Sequence, residues 1–174
     1  MSIRQIRQIG DEILKKKSKN ITEMTDKTKQ LIIDMKDTMK EHGGCGLAAV
    51  QVGILRNIII VQPSEDDPIY TFINPVVASK SSETNLDLEG CLSVEGKKGR
   101  VERPNSVTIN YLDEDMNEQT LVAEGFFARA ICHELDHLNG ELYTEHLVGR
   151  LYNDDEDVEE IGNKLNNIKN EDYD

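Results

Sequence analysis

The chain has no tryptophan and only three phenylalanines in 174 residues. No apolar run approaches the ~20 residues that a membrane-spanning helix needs, so no such helix is expected. The opening Met1-Ser2-Ile3-Arg4-Gln5 lacks the apolar core of a secretory signal, and the cytoplasm is the expected compartment. Positive charge is also short. Twenty Lys and Arg face 33 Asp and Glu, a net charge of -13, so most of the surface should repel nucleic-acid phosphates and no direct nucleic-acid binding is expected. There are three cysteines, at Cys45, Cys91 and Cys132. An odd, widely spaced set gives no disulfide framework. In a reducing cytosol each reads as a thiol, a ligand or a small core residue.

What remains is an ordinary globular composition, 37% hydrophobic and 30% charged, at a length that suits one domain with a real core. There is no internal repeat and no long low-complexity linker. Residues 11–19 read as a short polar helix or turn. Leu31, Ile32, Met35 and Met39 follow helical spacing, which predicts a helix from about Asp26 to Glu41, with Asp26 as N-cap and His42-Gly43-Gly44 as its stop. Asn57–Gln62 reads as a buried strand, and Tyr70–Ala78 as extended chain with a turn at Asn74-Pro75. Val107, Ile109 and Tyr111 alternate with polar residues. They predict a strand, followed by a hairpin loop at 113–117 and a return strand over 119–123.

The most informative stretch is Cys132-His133-Glu134-Leu135-Asp136-His137-Leu138. It falls in a helix predicted over about 125–138, whose broad apolar face (Phe126, Phe127, Ala130, Ile131, Leu135, Leu138) implies burial. Histidines at i and i+4 share one helical face and can bind one metal ion. A Glu beside the first His can act as base on water at the metal. The pattern points to a hydrolase that activates water.

Two histidines leave a third ligand to find, since catalytic sites usually carry three protein ligands and an open position. His146 follows a helix-breaking Asn139-Gly140 and reads as a surface residue. Cys91, in Glu89-Gly90-Cys91-Leu92-Ser93, is either a thiolate ligand or a buried small residue on spacing alone. Thiolate with two imidazoles suits iron, zinc, nickel or cobalt. Gly44-Cys45-Gly46-Leu47-Ala48-Ala49-Val50-Gln51 reads, alone, as a glycine-rich turn with a surface Gln. Its small residues also permit close approach by another chain or a ligand, and Gln51 can donate toward an oxyanion.

In combination the three segments are far more specific. Gly-x-Gly-x-Ala-Ala-x-Gln, Glu-Gly-Cys-Leu-Ser and His-Glu-x-Asp-His, in that order, resemble the three signature motifs of peptide deformylases. The stretch from Ile6 to Leu14 is similar to that family's N-terminus, and the resemblance covers nearly the whole chain. It implies a metal-dependent hydrolase that removes the formyl group from the N-terminal formylmethionine of nascent polypeptides. It implies that Cys91, His133 and His137 hold the metal, that Glu134 is the general acid and base, and that Gln51 and the Leu92 backbone N–H stabilise the oxyanion. The metal implied is ferrous iron, with zinc, nickel or cobalt able to occupy the site. The substrate would lie between the Gly46 region, beside Cys45, and the strand around Glu89. Phe126, Ala130 and His133 share about one helical face and could line the methionine pocket, with Arg129 near its rim. Phe126 reads equally well as core.

The implied fold is α+β: antiparallel strands packed around a buried central helix carrying His-Glu-x-x-His, with an N-terminal-half helix and a C-terminal helix. Residues 1–150 would form the single catalytic domain. Residues 151–174 hold nine acids against two lysines. Val158, Ile161, Leu165 and Ile168 keep helical spacing there, so an acidic amphipathic helix or tail is expected. In some deformylases a basic C-terminal helix docks on the ribosome. The acidic charge here opposes RNA contact, so only weak ribosome association is expected. The chain departs from the pattern at Cys132, where many relatives carry Gln, and at Cys45, often aliphatic. A salt bridge from Asp136 to Arg103 is expected. The alternatives are a His-Glu-x-x-His endopeptidase and a silent homologue that binds N-terminal peptides.

Overall fold

A computed structural model describes residues 2–159. Helix α1 spans Asp26–Glu41. Its N-cap is Thr25, whose hydroxyl accepts from the Thr28 N–H at 3.1 Å. Asp26, expected as the cap, is instead the first helical residue, where its charge suits the positive end of the helix. Of the polar stretch 11–19, only Glu12–Lys15 is helical, as a 3₁₀ turn capped by Asp11.

Three strands follow: β1 (Gly46–Ala48), β2 (Ile58–Val61) and β3 (Tyr70–Lys80). All four residues of β2 are fully buried. Ile58 and Ile60 pack with Leu31, Ile32, Met35 and Met39 of α1. Ile59 and Val61 face the other way, into a cluster with Phe72, Ile109, Ala128 and Ile131. Successive strand side chains alternate between faces. An uninterrupted apolar run is therefore what a strand covered on both faces requires. The turn expected at Asn74-Pro75 is a bulge within β3. Asn74 takes φ +49°, pairing with the strand over Ser106–Leu112 shifts register between Ile73 and Val76, and the Asn74 side chain ties back to the Ile21 backbone.

Strands β4 (Thr84–Cys91) and β5 (Val94–Pro104) form a long hairpin. Strands β6 (Ser106–Leu112) and β7 (Glu118–Glu124) form the hairpin expected from alternation. Helix α2, Gly125–Leu138, follows directly, and β8 (Tyr152–Asn153) ends the described strands. The strands make two antiparallel sheets, ordered β1-β2-β3-β6-β7 and β4-β5-β8. Helix α2 packs against β1, β2, β6 and β7 of the first and β5 of the second. Eight of its 14 residues are buried. A small third cluster (Val94, Val101, Leu142, Tyr143) takes in Cys91 and Leu151 at its edge. The acidic helix expected over 151–174 falls mostly on residues 160–174, outside the described residues. Val158, its first apolar position, is buried, and β8 joins that segment to β5 at Lys97 and Lys98.

The N-terminal segment is strapped across this frame. Asp34 of α1, itself buried, accepts from the Ser2 N–H, the Arg4 guanidinium and the Gln30 amide. Burial alone would raise the Asp34 carboxyl, but these donors outweigh it and hold the group down to about 2, against an ordinary value of 3.8. A carboxyl depressed in the folded state adds stability that is full above the ordinary value and is lost as pH falls through the folded one. Replacement of Asp34 by Asn should therefore lower stability by about 1–3 kcal/mol at neutral pH, the usual worth of hydrogen bonds to a charged group. Melting curves taken at successive pH values should show the wild-type advantage shrinking between about pH 4 and pH 2. A gap that stays constant over that range would contradict this account.

Candidate active site

Helix α2 places His133 and His137 one turn apart, with ring centroids 5.2 Å apart and planes at 70°. Cys91, the last residue of β4, meets them from the second sheet, its Sγ 3.4 Å from His137 Nε2. The donor atoms of Cys91, His133 and His137 all lie within 4.8 Å of one another. Ligands at about 2.0–2.3 Å from a tetrahedral cation stand roughly 3.5 Å apart, so one ion fits among them. The donors are also suitable chemically. The Ser93 N–H and the Gln51 amide point at the sulfur, at 3.4 and 3.6 Å. Burial and the nearby His133 push His137 well below its ordinary value, leaving a neutral imidazole. Metals bind that form.

A buried network fixes His133. Its Nδ1 lies 2.8 Å from Glu89 Oε1. The same carboxylate accepts two bonds from Arg103, both at 2.9 Å, and one from Arg129 at 2.7 Å. Arg103 also reaches Asp136 at 2.7 Å, the salt bridge expected from the sequence. Burial would raise the Glu89 carboxyl, but His133 and Arg103 hold it down to about 2. It is therefore an anion at any physiological pH, and His133 turns its Nδ1–H to it and its Nε2 to the donor cluster. Arg129 is not at a rim. It is 3% exposed, and its guanidinium is engaged by Glu89, Asn85 and the Val101 carbonyl. Long side chains can carry their charge inward when a buried carboxylate waits there.

Glu134 is also buried, and its Oε2 has no hydrogen-bond partner among the described residues. Burial pushes its carboxyl up to about 7, with the His133 charge opposing. A Cβ added at Gly46 would lie 2.8 Å from Glu134 Oε1. Any side chain there would force the Glu134 carboxyl aside. Gln51 is fully buried, not a surface residue. Its Oε1 accepts from the Ala48 N–H and its Nε2 donates to Ser93 Oγ. The segments bearing Gln51 and Leu92 are held together by the N-terminal strap. The Arg7 N–H bonds the Gln51 carbonyl at 2.7 Å, the Ile9 N–H bonds the Ser93 carbonyl at 2.7 Å, and Gln8 Nε2 bonds the Leu92 carbonyl at 2.9 Å. Only the Ile6–Leu14 resemblance hinted at this strap.

These groups floor a cleft of about 500 Å³, lined also by Cys45, Gly46, Leu92, Phe126, Arg129 and Ala130. Phe126 is 52% exposed, so it belongs to the cleft and not to the core. Cys132 packs among apolar side chains, and burial pushes its thiol up to about 11. It is a packing residue. His146 lies with Glu141 and Asp136 outside the donor cluster, as its position after the helix stop implied. Tyr143, which no sequence pattern marked, stacks on His133.

The model of the family described as polypeptide deformylase matches residues 3–152. The chain belongs to the polypeptide deformylase family. It is similar to the peptide deformylase of Finegoldia magna, 43% identical over 94% of this chain and 99% of that protein. It is also similar to that of Agathobacter rectalis, 49% identical over 87% and 94% respectively. Among solved structures it resembles the Thermotoga maritima peptide deformylase, with a TM-score of 0.82 at 32% identity over 86% of this chain and all of that one. It also resembles a Synechococcus elongatus peptide deformylase solved in complex with actinonin, with a TM-score of 0.80 at 39% identity over 83% and 79%. Polypeptide deformylases are metal-dependent hydrolases that remove N-formyl groups from nascent peptides.

The Glu89 network generates a direct test. Glu89→Gln would leave two buried guanidiniums short of an anion, and breaking a buried pair typically costs about 3–5 kcal/mol. Loss of the group that orients a metal-binding histidine typically weakens metal affinity by about 10–100-fold. Urea unfolding and chelator competition should show both losses together. Wild-type metal affinity in a folded Glu89→Gln protein would refute the orienting role.

Proposed function

We propose that this protein removes the formyl group from N-formylmethionyl peptides at the cleft described above, with Cys91, His133 and His137 holding one divalent cation. The observation that carries the reading is a thiol and two imidazoles with donor atoms within 4.8 Å, beside a buried carboxyl that has no hydrogen-bond partner among the described residues. The donor set suits ferrous iron, which we take as the native metal, with zinc, nickel or cobalt able to substitute. A cation held there supplies Lewis acidity, lowering the pKa of water toward neutrality.

The residues then divide the work. Glu134 takes a proton from water, which attacks the formyl carbon. A carboxyl raised to about 7 is matched to accept a proton and return it near neutral pH. The Gln51 amide and the Leu92 N–H donate to the oxygen that becomes negative in the tetrahedral intermediate. Glu134 passes its proton to the departing amine, and formate and a free N-terminus remain. Gly46, Cys45 and Glu89 flank the peptide backbone, and main-chain pairing in such a groove accepts many sequences. Phe126, Ala130 and the stem of Arg129 border the methionine side chain.

We assign catalysis to a single domain over residues 1–150, with 151–174 as an acidic helix or tail, and we place the enzyme in the cytoplasm. No helix among the described residues is long and apolar enough to cross a membrane. Nascent formylated chains are the partner, and ribosome association is weak. Deletion of residues 151–174 should leave turnover of short formylated peptides nearly intact, apart from any loss of stability, and ribosome co-sedimentation low at physiological salt. Strong co-sedimentation that disappears on truncation would overturn the charge argument.

Formate release from a formyl-Met peptide by anaerobically prepared protein tests the reading. Glu134→Gln should retain metal and lose about 10²–10⁴-fold in turnover, the usual worth of a general base. Cys91→Ser should lose metal, while Cys45→Ser and Cys132→Ser should keep it. Internal cleavage fragments would indicate an endopeptidase. Peptide binding without formate release would indicate a silent homologue. A Glu134→Gln enzyme within a few-fold of wild type would refute the assignment of the base.

A further inference from the structure

The Glu89 hydrogen bond fixes one direction of the His133 ring and leaves one rotation open. A ring held only at Nδ1 can still turn about that bond and carry Nε2 off line. The structure shows what closes this freedom. The Tyr143 ring stacks on His133 with centroids 5.7 Å apart and planes 29° from parallel, and Tyr143 is 1% exposed. We propose that Tyr143 is a positioning residue for the metal site, its ring fixing the plane of His133 so that Nε2 stays aimed at the donor cluster. The inference rests on the assignment of His133 as a ligand.

The chain after α2 is built to deliver this ring. Gly140 takes φ +76° and passes so close to the Lys15 backbone that no Cβ fits. The sharp return brings Leu142 and Tyr143 back under the helix. The 3₁₀ turn Tyr143–Glu145 is closed by the Leu142 N–H donating to the Glu145 carboxylate at 3.1 Å. Tyr143 then sits in the small core cluster against which Cys91 packs, so one side chain touches the surroundings of two ligands. Its hydroxyl is buried without a hydrogen-bond partner among the described residues. The contact that matters is therefore made by the ring face. The unpartnered hydroxyl plays no part in holding His133.

Co(II) is the probe. In the Co(II)-loaded full-length protein, thiolate charge-transfer absorption reports Cys91, and the ligand-field bands report the geometry to which His133 contributes. Tyr143→Phe keeps the ring and should keep both spectrum and affinity. Tyr143→Leu should weaken Co(II) binding by about 10–100-fold, the usual effect of losing a group that orients a ligand, and should move the ligand-field bands. Tyr143→Met, unbranched and bulky, serves in its place if the Leu variant does not fold. Leu142→Ala, in the same core cluster, is the control for loosened packing and should lower the melting temperature without moving the bands. Unchanged affinity and bands in Tyr143→Leu or Tyr143→Met would overturn the proposal. So would an equal shift in Leu142→Ala, or a loss of affinity in Tyr143→Phe. Failure of the wild type to bind one Co(II) with a thiolate band would instead overturn the ligand assignment itself.

Discussion

The carboxylate of Glu89 sits where the β4–β5 hairpin meets helix α2, and the site depends on its staying charged. Taking an ion out of water costs several kcal/mol, so a buried carboxylate survives only with close partners. Glu89 has two guanidiniums, Arg103 from β5 and Arg129 from α2, and the imidazole of His133. Asp136 completes the balance by pairing with Arg103. Two acids and two guanidiniums balance one another. Burial opposes a charge on His133, but hydrogen bonds to Cys91 and Glu89 and the nearby Glu134 hold it well above its ordinary value. A cation bound at Nε2 would therefore have to displace a proton. Removing any member leaves an uncompensated charge. This gives a physical reason for residues that never touch substrate to be as constrained as those that do.

A thiolate ligand at Cys91 would bring negative charge toward a bound cation and weaken its Lewis acidity relative to a third imidazole. The Ser93 N–H and the Gln51 amide both aim at the Cys91 sulfur, and such donors would draw off part of that charge. Gln51 is held by its other amide contacts to the Ala48 N–H and Ser93 Oγ, and the N-terminal strap pins the same two segments by backbone bonds.

Periodicity made α1, α2, β2 and the β6–β7 hairpin legible, because each buries one face or both in a single large core. It was silent on β4 and β5. Leu86 and Leu88 alternate with Asp87 and Glu89, but Leu86 is half exposed while Glu89 is buried, so the hairpin buries charge where a strand usually buries apolar groups. Its existence follows from partners far away in sequence. The three-residue strand β1 was hidden inside a glycine-rich run, since three residues carry too little pattern to read. Spacing along one helix gave His133, Glu134 and His137. Cys91 remained open between ligand and core because its partners lie on another element. Arg129 defied the expectation of a rim position because nothing local reveals that Glu89 lies beneath it. Tyr143 was invisible for a related reason: ten residues and a reversal of the chain separate it from the histidine it touches.

The distribution of unpartnered polar atoms says why such a site can exist in a small domain. Six buried side-chain atoms among the described residues have no hydrogen-bond partner, and three of them belong to Glu134, His137 and Tyr143. Each such atom typically costs about 1–3 kcal/mol, and folding stability is only about 5–15 kcal/mol in total. Elsewhere the interior is saturated with aliphatic contacts on both faces of β2. The large core therefore supplies the stability that the cleft floor gives up. A carboxyl raised by burial and a neutral buried imidazole are unfavourable as structure and useful as chemistry, and here they occupy one turn of one helix. Polar-to-apolar substitutions at these positions should then raise stability while abolishing turnover, the trade expected where function and fold compete for the same residues.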